Sequence, residues 1–408
     1  MLSVFSKILE RLMFNRISKF LEKNKILLDA QHGFRQRKST ESAVYSLFEK
    51  IITAIEQKEK SIGLFLDLTK AYDVIDHNIL IRKLETYGIR GIAITWFKSY
   101  LAQRSQVVEI SYFNKEHLSI ERCQSTQRKL CQGVPQGSIL GPLLFLLYIN
   151  DLPLCVQESE VVLFADDTNL LFKANKETEL QKKIHENIGK LASWFEANRM
   201  LLNTQKTAAV SFHLSHHRNI VKPQIMFDSE IIKYQDQIKF LGIVITEDLK
   251  WGAHINMLSR KLSVGCYILN SLKRVTSTQV LRSAYFAFIH SHLRYGIRFW
   301  GASTESEKVF RLQKRALRIM TGQSSRVSCR ELFKKLRVIT VASMYIFEVI
   351  NHIREMRHQL PNNKEIHHHS TRQKENLHVQ YCRTNLAKTS VYHNGIKLFN
   401  RLPPNIKT

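Results

Sequence analysis

Two short apolar runs that each stop on acids constrain this chain more than any other feature. One is "SIGLFLDL" (61–68), which reaches Asp67, and the other is "LFADDTN" (163–169), which reaches Asp166 and Asp167. A short continuous apolar run reads most simply as a buried strand. The acids must then emerge at the strand ends. A lone Asp in such a place is ordinarily a turn residue or a helix cap. Two acid-ended strands about a hundred residues apart make that reading harder to hold.

If the two strands are neighbours, three carboxylates converge. Each pair of like charges ~4 Å apart costs about 4 kcal/mol at an effective dielectric near 20. Three pairs would cost about 12 kcal/mol, on the order of the stability of a whole domain. Hard divalent cations with oxygen ligands relieve such repulsion, and two of them together form the clamp used for in-line phosphoryl displacement. The overall charge fits that chemistry. Lys and Arg number 61 against 35 Asp and Glu, a net +26 over 408 residues. That excess favours a polyanion, nucleic acid first and an anionic membrane surface second. A basic surface would hold the polyanion while the acids hold the metal that acts on it.

Other classes are disfavoured. The six cysteines (Cys123, Cys131, Cys155, Cys266, Cys329, Cys382) are scattered without a C-x-x-C pair, against a disulfide framework or zinc ribbon. His367, His368 and His369 are consecutive, so they share no single helix or strand face, and a metal role for them is disfavoured. The longest apolar stretch, "ILGPLLFLLYI" (139–149), is shorter than the ~20 residues of a membrane span. The opening residues are amphipathic and basic rather than a secretory signal, so no membrane passage is expected.

Periodicity orders the rest. Val4, Phe5, Ile8, Leu9, Leu12, Met13, Ile17, Phe20 and Leu21 recur at helical spacing. "DAQHGFRQRKSTESAV" (29–44) is polar with one Gly and reads as a loop, with Ser39 or Thr40 capping a helix through Phe48 and Ile52. "SYFNKEHLSIERCQSTQRK" is a polar excursion between strands. "GVPQGSILGPLLFLLYINDLP" opens on turn residues and becomes an apolar helix. Leu180, Ile184, Ile188, Leu191, Trp194 and Phe195 form one helical stripe, while "AAVSFHL" and "IKFLGIVI" are strand candidates. From Ile255 the chain is mostly helical. The order suits an α+β core flanked by helices.

The ordered set "LFLDLTKAYDVIDH", "GVPQGSILGPLLFLLYINDLP", "FADDTNL", "NRMLLNTQKT" and "KFLGIVI" resembles the reverse transcriptases of non-LTR (LINE-type) retrotransposons, especially the jockey-like group. The resemblance runs almost end to end. It implies a right-hand polymerase fold, with partial fingers at 1–60, a palm with an antiparallel sheet and interleaved fingers segments at 61–245, a helical thumb at 246–340 and a basic extension at 341–408. It implies an RNA-directed DNA polymerase that adds dNTPs to a DNA primer on an RNA template, with two Mg²⁺ ions or Mn²⁺ in their place.

Residue by residue, the resemblance makes Asp67 and Asp166 the bridging ligands of both ions, with Asp167 completing the cluster. Tyr72 would exclude a 2′-hydroxyl by bulk, against a bland reading as core packing. Gln136 and Gly137 would lie against the incoming nucleotide, the glycine permitting close backbone approach. Lys206 would protonate the departing pyrophosphate, against the bland reading of a solvated lysine. Phe240, Leu241 and Gly242 would hold the primer end, and "RLQKRALR" (311–318) would lie along the duplex backbone. Arg35, Arg37 and Lys38 would touch template or nucleotide.

Set against the resemblance, the chain is expected to begin inside the fingers and to carry no endonuclease domain. A co-opted nucleic-acid-binding relic therefore stays open, as does a metal-dependent nuclease, which would need neither Tyr72 nor the "PQG" loop. The family's life cycle implies cytoplasmic synthesis and nuclear action. Oligomeric state is not legible.

Overall fold

A computed structural model describes residues 4–102, 104–115, 117–214, 222–366 and 372–407. His367, His368 and His369 lie outside the described residues. Two units are interleaved along the chain: Met1–Ala43, Ile62–Ala209 and Val221–Tyr234 form the first, and Val44–Ser61, Val210–Ile220 and Gln235–Thr408 the second.

The first unit is organised by a five-stranded sheet. Its strands are β1 (Lys60–Leu66), β2 (Glu160–Phe164), β3 (Asp167–Ala174), β4 (Ala208–Phe212) and β5 (Lys233–Tyr234), in the spatial order β5-β4-β1-β3-β2. β1 is buried on both faces from Ser61 to Leu66, as a central strand with neighbours on each side must be. β2 and β3 form an antiparallel hairpin whose last pair is Phe164 with Asp167. Against the expected antiparallel palm, β5 pairs parallel to β4. The small hairpin of Met226–Phe227 and Glu230–Ile231 turns the chain about just before β5.

Helices α1 (Val4–Lys23), α2 (Thr40–Glu56), α3 (His77–Thr86), α4 (Ile92–Leu101), α5 (Gly141–Ile149) and α6 (Glu177–Ala197) precede or interrupt these strands. The α6 stripe is buried as the spacing predicts, and the helix packs on β3. α5 is apolar all round and has Phe145 and Tyr148 fully buried, the behaviour of a core helix. Of the two offered caps, Ser39 acts. Its Oγ accepts from Ser42 N–H (3.2 Å) while Ser42 Oγ accepts from Ser39 N–H (2.9 Å), a reciprocal cap.

α1 forms where predicted, and Met13, Ile17, Phe20 and Leu21 of its stripe pack on the core while its first turns stay uncovered. Val4, Phe5, Ile8, Leu9 and Leu12 are exposed, whereas Glu10, Ile17 and Leu21 are buried. The Glu10 carboxylate accepts from Tyr100 O–H (2.9 Å) and from Ile139 N–H (2.6 Å), so a polar side chain is satisfied where the periodicity called for an apolar one. The polar excursion also has structure of its own. Glu109–Asn114 and Ser119–Gln124 pair as an exposed antiparallel ribbon.

The second unit begins its last and longest segment with a hairpin, β6 (Gln237–Phe240) and β7 (Ile243–Thr246). The run "IKFLGIVI" is thus two strands joined by Leu241 (φ 44°) and Gly242 (φ 83°), the double positive φ of a tight primed turn. Helices α7 (Gly252–Leu272), α8 (Thr278–Tyr285), α9 (Ser306–Thr321), α10 (Val341–Met356) and α11 (Val391–Asn400) follow. Leu258, Leu262, Cys266 and Leu269 of α7 share one core with Val309, Ala316, Leu317 and Met320 of α9. Gln313 sits inside that core fully hydrogen-bonded. Its Nε2 donates to Tyr285 Oη and Ile339 O (both 2.9 Å), and its Oε1 accepts from Val341 N–H (3.0 Å). Among the described residues no single helix is long and apolar enough to cross a membrane, and all six cysteines are free.

Candidate active site

Asp67 immediately follows β1, and Asp166 and Asp167 form the tip and first rung of the β2–β3 hairpin. Because β1 and β3 are adjacent in the sheet, both acid-bearing ends belong to neighbouring strands. Asp167 has a solvent-accessible side, as its exposure shows, yet enough protein surrounds it to desolvate it in part. That desolvation, with the negative charges of Asp166 and then Asp67, pushes its carboxyl up to about 6. The three acids therefore feel one another across a hundred residues of chain.

One stretch of chain, residues 201–207, locks Asp67 in place. Its N–H donates to Thr207 Oγ1 (3.3 Å), its carbonyl accepts from Asn203 N–H (2.8 Å), and Thr69 N–H donates to Leu201 O (2.9 Å). This lacing lays "LLNTQKT" beside the strand end and brings Lys206 Nζ to 3.9 Å from Asp67 Oδ2. Lys206 itself remains 71% exposed in its side chain, open to a bound molecule.

Tyr72 joins the cluster. Its ring lies 4.6 Å from that of Phe145, and burial followed by the charge of Asp166 raises its hydroxyl to about 12. Tyr72 thus packs on the core while standing within reach of the Asp166 charge. Gln136 turns elsewhere, donating through Nε2 to Asp73 Oδ1 at 3.2 Å. Since Tyr72 O accepts from Val134 N–H (2.9 Å), the dipeptide Tyr72–Asp73 connects the acids to the "PQG" loop. Gly137 has φ 77° and open space where a Cβ would point, so its backbone is uncovered by protein rather than pressed against it.

Arg35 and Lys38 engage their own loop. Arg35 Nη1 donates to Leu28 O (2.7 Å) and stands 3.8 Å from Asp29 Oδ1. Lys38 Nζ donates to Asp29 O (2.5 Å) and stands 3.7 Å from Asp29 Oδ1. Burial, then the nearby Arg35 charge, holds the Lys38 ammonium below its ordinary value. Both cations thus brace their own loop, where Asp29 offers each a partner a few residues away. Phe240, Leu241 and Gly242 form the end of the β6–β7 hairpin, where Tyr295 Oη donates to Leu241 O.

Sequence reasoning missed the support beneath the acids. Ala30–Gly33 runs beside β2, with His32 N–H donating to Leu163 O and Leu163 N–H to Ala30 O (both 2.8 Å). A Cβ added to Gly33 would lie 2.3 Å from Ala165 N, so only glycine fits that crossing. The single Gly in a polar loop was the available signal.

Among the described residues no three His, Cys, Asp or Glu side chains are gathered closely enough to enclose an ion. The carboxylates are electrostatic neighbours rather than a closed cage. Their chemistry still fits a hard divalent cation. The donors are all oxygen, and partial burial, then the charges of Asp166 and Asp67, make Asp167 hold its proton more tightly.

A sheet whose hairpin tip presents paired acids beside a third on the adjacent strand defines the palm of a right-hand polymerase. Residues 1–245 match the family described as "Reverse transcriptase (RNA-dependent DNA polymerase)". This chain belongs to the reverse transcriptase family. It is 31% identical over 360 residues to the "Probable RNA-directed DNA polymerase from transposon BS" of Drosophila melanogaster, covering 84% of this chain and 38% of that protein. It is 26% identical over 364 residues to the "RNA-directed DNA polymerase from mobile element jockey" of the same species, covering 83% and 37%. The chain thus spans less than two fifths of the length of either relative. Apo telomerase from Candida tropicalis aligns with a TM-score of 0.41 at 12% identity, over 88% of this chain and 60% of that one, a likeness too loose to build on.

Proposed function

We propose that this chain carries the RNA-directed DNA polymerase activity of a non-LTR retrotransposon, adding deoxynucleotides to a primer 3′-hydroxyl opposite an RNA template. The observation that supports it most is the electrostatic meeting of Asp67 with Asp166 and Asp167 at adjacent strand ends. Asp67 and Asp166 are the proposed ligands of two Mg²⁺ ions, with Mn²⁺ able to substitute, and Asp167 deepens the negative field that holds them. Bound metal would supply Lewis acidity to the primer hydroxyl and charge neutralisation to the triphosphate.

The chain's own groups do the rest. As the bond from the primer oxygen to the α-phosphorus forms and the bond to pyrophosphate breaks, Lys206 gives a proton to the leaving oxygen. Tyr72, backed by Phe145, cannot easily swing aside and so blocks a 2′-hydroxyl by bulk. Gly137 leaves its backbone open to the nucleotide, while Gln136 is oriented by Asp73. The β6–β7 hairpin would hold the primer, and the helical second unit would act as thumb. Arg311 and Arg315, both exposed on α9, would contact phosphates with a steep salt dependence.

The decisive test is primer extension by the purified chain with primed RNA, Mg²⁺ and labelled dNTPs. Extension is expected for the wild type and not for Asp166→Asn. Salt-sensitive binding without extension, or shortening of the primer, would replace this reading with the relic or the nuclease.

A further inference from the structure

We propose that Gln31 is a positioning residue for the acid-bearing hairpin tip, holding Asp166 and Asp167 in place from beneath. This rests on the polymerase reading only for the purpose of the tip. The mechanical claim stands on contacts in this chain.

The tip is a demanding turn. Phe164 pairs with Asp167, which leaves two residues, Ala165 and Asp166, to reverse the chain. Ala165 takes a left-handed φ of 53°. Two-residue hairpin turns with a positive φ at the first central position ordinarily use glycine there, since a Cβ is crowded in that region. An alanine must therefore be held, and one side chain is placed to do so. Gln31 Oε1 accepts from Ala165 N–H at 3.1 Å and from Gly33 N–H at 2.7 Å. Gln31 is itself pinned, because the backbone bonds of His32 and Ala30 to Leu163 bracket it as a parallel bridge. It is 2% exposed, so water does not compete for its oxygen.

The absence of a Cβ on Gly33 completes the device. The strap crosses directly against the Ala165 amide, at a distance no other residue would permit. The same glutamine carries an Nε2 that is buried without a hydrogen-bond partner among the described residues. A buried orphan donor is an expense that packing alone would remove by substituting an apolar side chain. Its presence accords with a demand for the amide oxygen on the other side of the group.

If Gln31 holds Ala165 in its left-handed conformation, losing the acceptor should let the turn relax and move both acids. A glycine at 165 should then compensate, since it adopts that φ without restraint. The experiment is a double-mutant cycle of Gln31→Leu and Ala165→Gly in the full chain. Mn²⁺ binding is read by electron paramagnetic resonance and primer extension by kcat, with circular dichroism melts as the folding control. Gln31→Leu is expected to weaken Mn²⁺ binding by roughly tenfold and lower kcat by about 10²-fold, as for a misplacement of order 1 Å. Ala165→Gly added to it should recover most of the Mn²⁺ affinity. Equal losses in both backgrounds, unchanged Mn²⁺ binding in Gln31→Leu, or a wild type that binds no Mn²⁺ would each overturn the proposal. Should Gln31→Leu not fold, Gln31→Met keeps the side-chain length without the acceptor and takes its place. Mn²⁺ affinity that falls and recovers in a chain that never extends primers would uphold the positioning role and remove the polymerase reading.

Discussion

The ring of Tyr72 lies 4.6 Å from that of Phe145, tilted by 32°, with a core helix behind it. A residue meant to exclude a hydroxyl by bulk needs such backing, because an unsupported ring would rotate away. Tyr72→Val should therefore admit ribonucleotides. Steady-state kinetics with paired rNTP and dNTP substrates should show sugar discrimination falling by at least about tenfold. Unchanged discrimination would return Tyr72 to a packing role.

Lys206 stands 3.9 Å from Asp67 with most of its side chain in solvent, so the ion pair adds little stability. Its replacement should be felt in the chemistry. Lys206→Ala is expected to lower the single-turnover rate by about 10²-fold or more while barely changing the melting temperature. Lys206→Arg separates the explanations, since a guanidinium keeps the charge but does not release a proton at working pH. A rate near wild type in Lys206→Arg would make this residue an electrostatic anchor instead of an acid.

Asp167 predicts a coupling between protons and divalent cations. Its carboxyl is pushed up to about 6 by partial burial and then by Asp166 and Asp67. A raised carboxyl favours the folded state while protonated. That contribution is fully present below the ordinary Asp value of ~3.9 and is lost as pH rises through about 6. Mg²⁺ competes with the proton, so it should raise the melting temperature more at pH 7.5 than at pH 5. Differential scanning calorimetry of wild type and Asp167→Asn checks this, and the variant should show a weaker pH dependence of the Mg²⁺ effect.

Glu49 gives a second pH signature, in the other unit and away from any proposed ligand. Burial on α2 raises its carboxyl to about 7. Stability from this group is complete below the ordinary Glu value of ~4.3 and falls as pH climbs towards 7. His352, lowered to about 4 by burial and then by Arg298, works in the opposite sense, losing stability as pH falls below 6.5. The informative quantity is the difference between wild type and Glu49→Gln in urea midpoints from pH 4.5 to 7.5. The variant should gain on the wild type as pH rises. Parallel curves would contradict a buried, proton-holding Glu49.

Much of the fold was legible where local periodicity and burial agree. β1 is an uninterrupted apolar run and proves to be a central strand, and the α6 stripe is buried residue for residue. The pattern held only for the second half of α1, where Ile17 and Leu21 are buried; in the first half Leu9 is exposed and Glu10 is buried instead. It was silent on the bracing of Arg35 and Lys38 by Asp29, since a loop cation's local partner leaves no periodic mark.

The order of residues alone determined that Asp67, Asp166 and Asp167 stand at strand ends, because an apolar run that stops on an acid must surface there. Only the folded chain decided that these ends are neighbours, and that Gln31 and Gly33 brace Ala165 from 134 and 132 positions away. A strand's inward face is written in its own alternation of residues. Which partner meets that face depends on how the whole sheet closes, and contacts between distant segments leave no periodic trace in either one.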